Sequence, residues 1–82
     1  MRLNTTTDIE TDDASGTVSQ IEDELTETGY RLSVTGDKVR LYARMDTDTE
    51  SVSGDVDTML DEMNAVDGVN VVEDDVEVEG TL

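Results

Sequence analysis

The sequence predicts a two-layer α+β sandwich in which two helices pack on one face of a four-stranded sheet. Three observations carry this expectation. Apolar residues recur with period two in some segments and with helical spacing in others. The two kinds of segment run in the order strand, helix, strand, strand, helix, strand, which suits helices layered on a sheet. One hairpin has a turn and an alternation that agree on a single register. The 82 residues fit one domain, residues 1–82, with one modest core and no linker or strong internal repeat.

The first strand is predicted over residues 2–10. Leu3, Thr5, Thr7 and Ile9 share one face; Arg2, Asn4, Thr6, Asp8 and Glu10 share the other. Asp12 and Asp13 then offer an N-cap and favourable charge at a helix start. Val18, Ile21 and Leu25 follow as one apolar stripe, and Gly29 stands where a left-handed C-terminal cap is wanted.

The hairpin from Tyr30 to Met45 is the most specific local signal. If Gly36-Asp37 forms its two-residue turn, Thr35 opposes Lys38, Val34 opposes Val39, Leu32 opposes Leu41 and Tyr30 opposes Ala43. Every apolar residue then lands on one face, and a slip by one residue would scatter them over both. A polar loop from Asp46 to Glu50 is expected to cap a second helix. That helix carries Val52, Val56, Met59, Leu60 and Met63 as a broad core-facing stripe. Gly68 ends the segment. A last strand is predicted through Val69, Val72, Val76 and Val78, with Glu73, Asp75, Glu77 and Glu79 mostly outward. The element order is that of ferredoxin-like split β-α-β folds.

Charge dominates the composition. There are 22 acidic residues against 5 basic ones and no histidine, for a formal net charge of −17. Two like charges ~10 Å apart in water repel by roughly 0.4 kcal/mol. Summed over many pairs, this reaches several kcal/mol, a large share of a typical folding free energy of about 5–15 kcal/mol. At molar salt the Debye length shrinks to about 3 Å and most of that repulsion disappears. The composition resembles that of haloarchaeal acidic proteins, so the expectation is a halophilic, cytoplasmic domain with hydrated monovalent cations at its acidic surface. No export signal and no long apolar run is legible, so no membrane association is expected.

Most chemistry is poorly supplied. Without His or Cys there is no ordinary zinc or iron–sulfur site, no thiolate, and no base to activate a serine. Carboxylates are everywhere, so their pairing carries no information; a catalytic pair needs one carboxyl desolvated, and these sit on polar faces. The loop Asp46–Glu50 begins like a calcium loop, yet Ser51 stands where Gly is required and Asp57 replaces the closing Glu. The six glycines are isolated, so no phosphate cradle is present. The expectation is a non-enzymatic domain with no cofactor and no resident metal.

Against the acidic background, four of the five basic residues, Arg31, Lys38, Arg40 and Arg44, fall in the hairpin. By the register above, Arg31, Arg40, Tyr42 and Arg44 lie on the sheet face away from the helices, with Arg31 opposite Tyr42 in cation–π reach. These four are the candidate binding residues. The competing reading is internal pairing with Asp8, Glu10, Glu77 and Glu79, which contributes about 0.2–1 kcal/mol per cross-strand pair. Nucleic acid is not expected, because the net charge opposes a polyanion and one Tyr is a thin stacking platform.

From Val18 to Val78 the pattern resembles the BON domain. The carrying residues are Val18, Ile21 and Leu25, then Val34, Gly36, Val39 and Leu41, and the closing Gly68-Val69, Val72, Asp74, Val76 and Val78. Asp74 departs from that family's usual Asn, Ala43 from its usual Gly, and residues 2–10 lie outside the resemblance. The stretch Ala65 to Val69 also looks like ACT or heavy-metal-associated ferredoxin-like domains, without the Cys pair of the latter. The BON resemblance implies an interaction module. The leading expectation is therefore a protein-interaction or self-association domain using the open sheet face, with a homodimer or another protein as partner. The alternative is an ACT-like small-ligand domain holding an anion on Arg31, Arg40 or Arg44.

Overall fold

A computed structural model describes residues 1–80. Its elements are β1 (Arg2–Glu10), α1 (Ala14–Glu24), β2 (Gly29–Thr35), β3 (Lys38–Asp46), α2 (Val52–Asn64), a 3₁₀ turn (Glu73–Asp75) and β4 (Glu77–Glu79). The sheet order is β2-β3-β1-β4, and every neighbouring pair is antiparallel. Each β-α-β unit leaves a gap that a strand of the other fills, as in ferredoxin-like sheets. The fold is the predicted α+β sandwich.

The sheet is built as its alternation dictates. In β1, Leu3, Thr5 and Ile9 are buried; in β3, Val39, Leu41 and Ala43 are buried while their sequence neighbours face out. The hairpin register is the one the turn implied, from Thr35 opposite Lys38 to Tyr30 opposite Ala43. Gly36 has φ +61 while Asp37 does not have a positive φ, so the signs at Gly36-Asp37 match a type II′ turn. The ladder between β1 and β3 extends past both ends. Thr11 N–H donates to the Asp37 carbonyl at 2.8 Å, and Thr47 N–H to that of Met1 at 3.0 Å.

The helices close the core from one side. The Asp13 carboxylate caps α1 by accepting from Gly16 N–H at 3.0 Å. Ile21 and Leu25 from α1 meet Val56, Met59 and Met63 from α2 over Leu3, Ile9, Val39 and Leu41. Burying side chains of this size contributes about 1.5–3 kcal/mol each before conformational entropy is counted.

Three local expectations need correction. Gly29 does not cap α1: it is the first residue of β2 and lacks a positive φ. The helix stops at Glu24, and the following backbone is held from outside. The Glu62 carboxylate of α2 accepts from the N–H groups of Glu27 and Thr28 at 3.1–3.2 Å. Nor does the loop after β3 cap α2 with a side chain. Asp48 bonds the N–H of Ser51, and Ser51, at the N-cap, makes no side-chain cap bond.

The last strand is also much shorter than its valines suggest. Val69 and Val71, not Val72, are buried; Val72 is half exposed. Asn64 replaces a strand neighbour here, its side-chain amide donating to the Val71 carbonyl at 2.9 Å and accepting from its N–H at 2.8 Å. Glu73, Asp74 and Asp75 then turn through a 3₁₀ segment, with Asp75 accepting from Val72 N–H. Only Glu77–Glu79 pair with β1. Three consecutive acids are poor strand formers, and this outweighs the valine spacing.

Candidate functional site

The sheet face opposite the helices is uncovered, and alternation decides what stands on it. From β1 come Arg2, Asn4, Thr6, Asp8 and Glu10; from β3 come Lys38, Arg40, Tyr42, Arg44 and Asp46. Across from these lie Arg31, Ser33 and Thr35 of β2 and Glu77 and Glu79 of β4. All five basic residues of the chain are therefore on this face, balanced by five acids. The other 17 acids, and with them the whole net charge of −17, lie on the helices, turns and loops.

The charges on this face do not share one fate. Arg40 is bound to Asp8 by a two-pronged contact, Nε to Oδ1 at 2.8 Å and Nη2 to Oδ2 at 3.3 Å. The guanidinium hydrogen bond holds the Asp8 carboxyl below the usual carboxylate range, and the carboxylate raises Arg40 in turn. Arg2 Nε lies 3.5 Å from Asp46 Oδ1, a loose and highly exposed contact. Among the described residues, Arg31 and Arg44 form no ion pair. Arg31 instead stands over Tyr42, its guanidinium carbon 5.1 Å from the ring centroid. Arg44 has Asn4 and Gly29 as its register partners, neither of which carries charge.

Of the four candidate residues, the structure brings Arg31, Tyr42 and Arg44 into one groove, while Arg40, still beside Tyr42, is tied to Asp8 and does not line it. The first three line a shallow groove of about 360 Å³ with Arg2, Asn4 and Thr6, and among the described residues no carboxylate lines it. Arg2 and its β1 neighbours were not among the sequence candidates. Their parity on the polar face was legible, but only the strand order reveals that β1 lies beside β3. The groove can offer hydrogen-bond donors from three guanidiniums, an amide and two hydroxyls around one half-buried ring.

Among the described residues, no three Asp or Glu side chains gather as a metal ion would need, and no helix is long and apolar enough to cross a membrane. Comparisons of the chain with protein-family models, with curated proteins and with solved structures find no match.

Proposed function

We propose that this domain is a non-enzymatic protein-interaction module of a high-salt cytoplasm, docking an acidic protein partner on its open sheet face. The observation that carries this reading is the collection of every basic residue on that face, with Arg31 and Arg44 beside Tyr42 and in no ion pair among the described residues. A partner in such a cytoplasm is itself acidic, and elsewhere this surface repels it. At molar salt the Debye length of about 3 Å removes long-range steering, so recognition rests on direct contact. An arginine stacked on a tyrosine suits that regime, because both bury apolar surface while keeping donors at the rim. The pattern shared with BON domains supports the same class of role.

The test is site-specific photo-crosslinking in molar KCl, with the reactive group at Tyr42 or at Thr58 on α2. The expected outcome is one acidic protein captured from Tyr42, not from Thr58, and lost on Arg31→Glu or Arg44→Glu. Equal capture from both positions, or indifference to the charge reversals, overturns the reading.

The carboxylate-free lining of the groove favours a second reading, a small-ligand domain of ACT-like type that takes a carboxylate or phosphate group. Titration with citrate or inorganic phosphate separates the two. Saturable amide shifts confined to Arg31, Tyr42 and Arg44 in the absence of any partner protein would favour the small anion.

A further inference from the structure

The two edges of the sheet are finished differently. At one edge, β4 is three residues long, has Glu77 and Glu79 in its sequence, and follows three acids; short, charged edges resist pairing. At the other edge β2 runs seven residues, Gly-Tyr-Arg-Leu-Ser-Val-Thr. It lies within residues 28–36, the longest run in the chain without Asp or Glu. The core reaches β2 only at Leu32, which is partly buried against it, and leaves Tyr30 37% and Val34 52% exposed on the apolar side of the sheet. This edge carries none of the acids that blunt the other.

The backbone of β2 offers a specific template. In a two-residue hairpin the residues flanking the turn form a hydrogen-bonded pair, and such pairs then alternate along the strands. Thr35, Ser33, Arg31 and Gly29 therefore bond to β3, while the N–H and C=O groups of Tyr30, Leu32 and Val34 point outward. These three positions are symmetric about Leu32. Two β2 strands brought together antiparallel around a twofold axis at Leu32 place Leu32 opposite Leu32, and Tyr30 opposite Val34 of the other copy. The pairs Leu32–Leu32 and Tyr30–Val34 are then ones whose backbone groups face outward and are free to bond, while the intervening Arg31–Ser33 pairs keep their bonds to β3. The side chains agree. Tyr–Val is a favourable aromatic–branched pair, Arg31 meets Ser33 rather than a like charge, and no carboxylate enters the contact.

We propose that β2 is the interface for a second copy of this chain, giving a twofold dimer with a continuous eight-stranded sheet. The charge argument selects the occupant: between two chains of net charge −17, contact is least opposed where neither carries acid. The proposal is independent of the open-face reading, because edge pairing leaves that face uncovered and sets two Arg31–Tyr42 units beside the axis.

The test combines sedimentation with residue-resolved amide exchange in molar KCl over a wide range of protein concentration. A monomer–dimer equilibrium is expected, with the amides of Tyr30, Leu32 and Val34 gaining protection as concentration rises. The amides of Arg31 and Ser33, already bonded to β3, serve as protected controls at every concentration. Val34→Glu, at a half-exposed position, should keep the cooperative melt and weaken dimerisation by roughly tenfold, since two Tyr–Val pairs are lost per dimer. A monomer at all concentrations overturns the proposal. So does a dimer whose Tyr30, Leu32 and Val34 amides stay unprotected, which would move self-association to another surface. A folded Val34→Glu variant that dimerises like the parent overturns it equally.

Discussion

The two faces of the sheet are encoded in the same strands and do opposite things. Along β3, Val39, Leu41 and Ala43 are buried under the helices, while Lys38, Arg40, Tyr42 and Arg44 stand on the open side. On the covered side, the helix layer above the core carries much of the chain's uncompensated acidity; on the open side five bases meet five acids. Alternate residues of one strand thus separate the side chains that hold the fold from those left open on the other face of the sheet. The difference says where a salt dependence of folding should originate: in the helices, turns and loops that hold the uncompensated acids, not in the sheet surface.

The largest expected effect follows from that placement. At about 50 mM KCl repulsion acts over ~10 Å or more, and the cooperative thermal transition should be lost; at about 2 M it should return. Removing charge from the helices, by Asp23→Asn, Asp57→Asn and Asp61→Asn together, should lower the salt needed for folding. All three are exposed, and Asp57 and Asp61 are like charges one helical turn apart. Removing three acids from the open face, Asp8→Asn, Glu10→Gln and Glu77→Gln, should not lower it, because each stands across from or beside a base or a neutral partner. Equal shifts from the two triple variants, read as melting midpoint against salt, would break the comparison.

A smaller effect contrasts neighbours in sequence. Leu41→Ala opens a cavity under both helices and should cost about 2–5 kcal/mol, enough to unfold much of a domain of this size. Tyr42→Ala, one residue later and on the other face, should cost about 1 kcal/mol or less, the scale of its cation–π contact with Arg31. Chemical denaturation in molar KCl measures both. Similar losses at the two positions would mean that the open face also supports the fold.

How far all this was legible depends on the range of the forces involved. The alternation of β1 and β3, the Gly36-Asp37 turn and the stripes of both helices are local patterns, and the structure follows them residue by residue. What escaped was non-local. The end of α1 is tied by Glu62 from α2, not by Gly29, and the segment before β4 is held by Asn64 across a seven-residue gap. The site divided the same way. The stacking of Arg31 on Tyr42 follows from hairpin register alone, whereas the capture of Arg40 by Asp8 and the entry of Arg2 into the groove require β1 to lie beside β3. Strand order has no signature in the sequence of a single strand.

The smallest effect tests whether the Arg40–Asp8 contact on the open face behaves as an ion pair. The hydrogen bond from Arg40 holds the folded-state pKa of Asp8 below the ordinary carboxylate value of 3.8. The pair therefore contributes stability that is fully present above that ordinary value. It is lost as the pH falls through the lowered one, when Asp8 takes up its proton in the folded protein too. In molar KCl, which screens the repulsion among the remaining acids, the parent should melt slightly above Asp8→Asn near neutral pH. Acidification to about pH 2 should close that gap. Arg40→Gln should behave like Asp8→Asn, and the double variant should add little to either, because both remove the same contact. A gap that persists unchanged at acid pH would show that Asp8 acts through its shape and not its charge. The open face would then carry one more uncommitted arginine, and Arg40 would rejoin Arg31 and Arg44 as a group free to meet a partner.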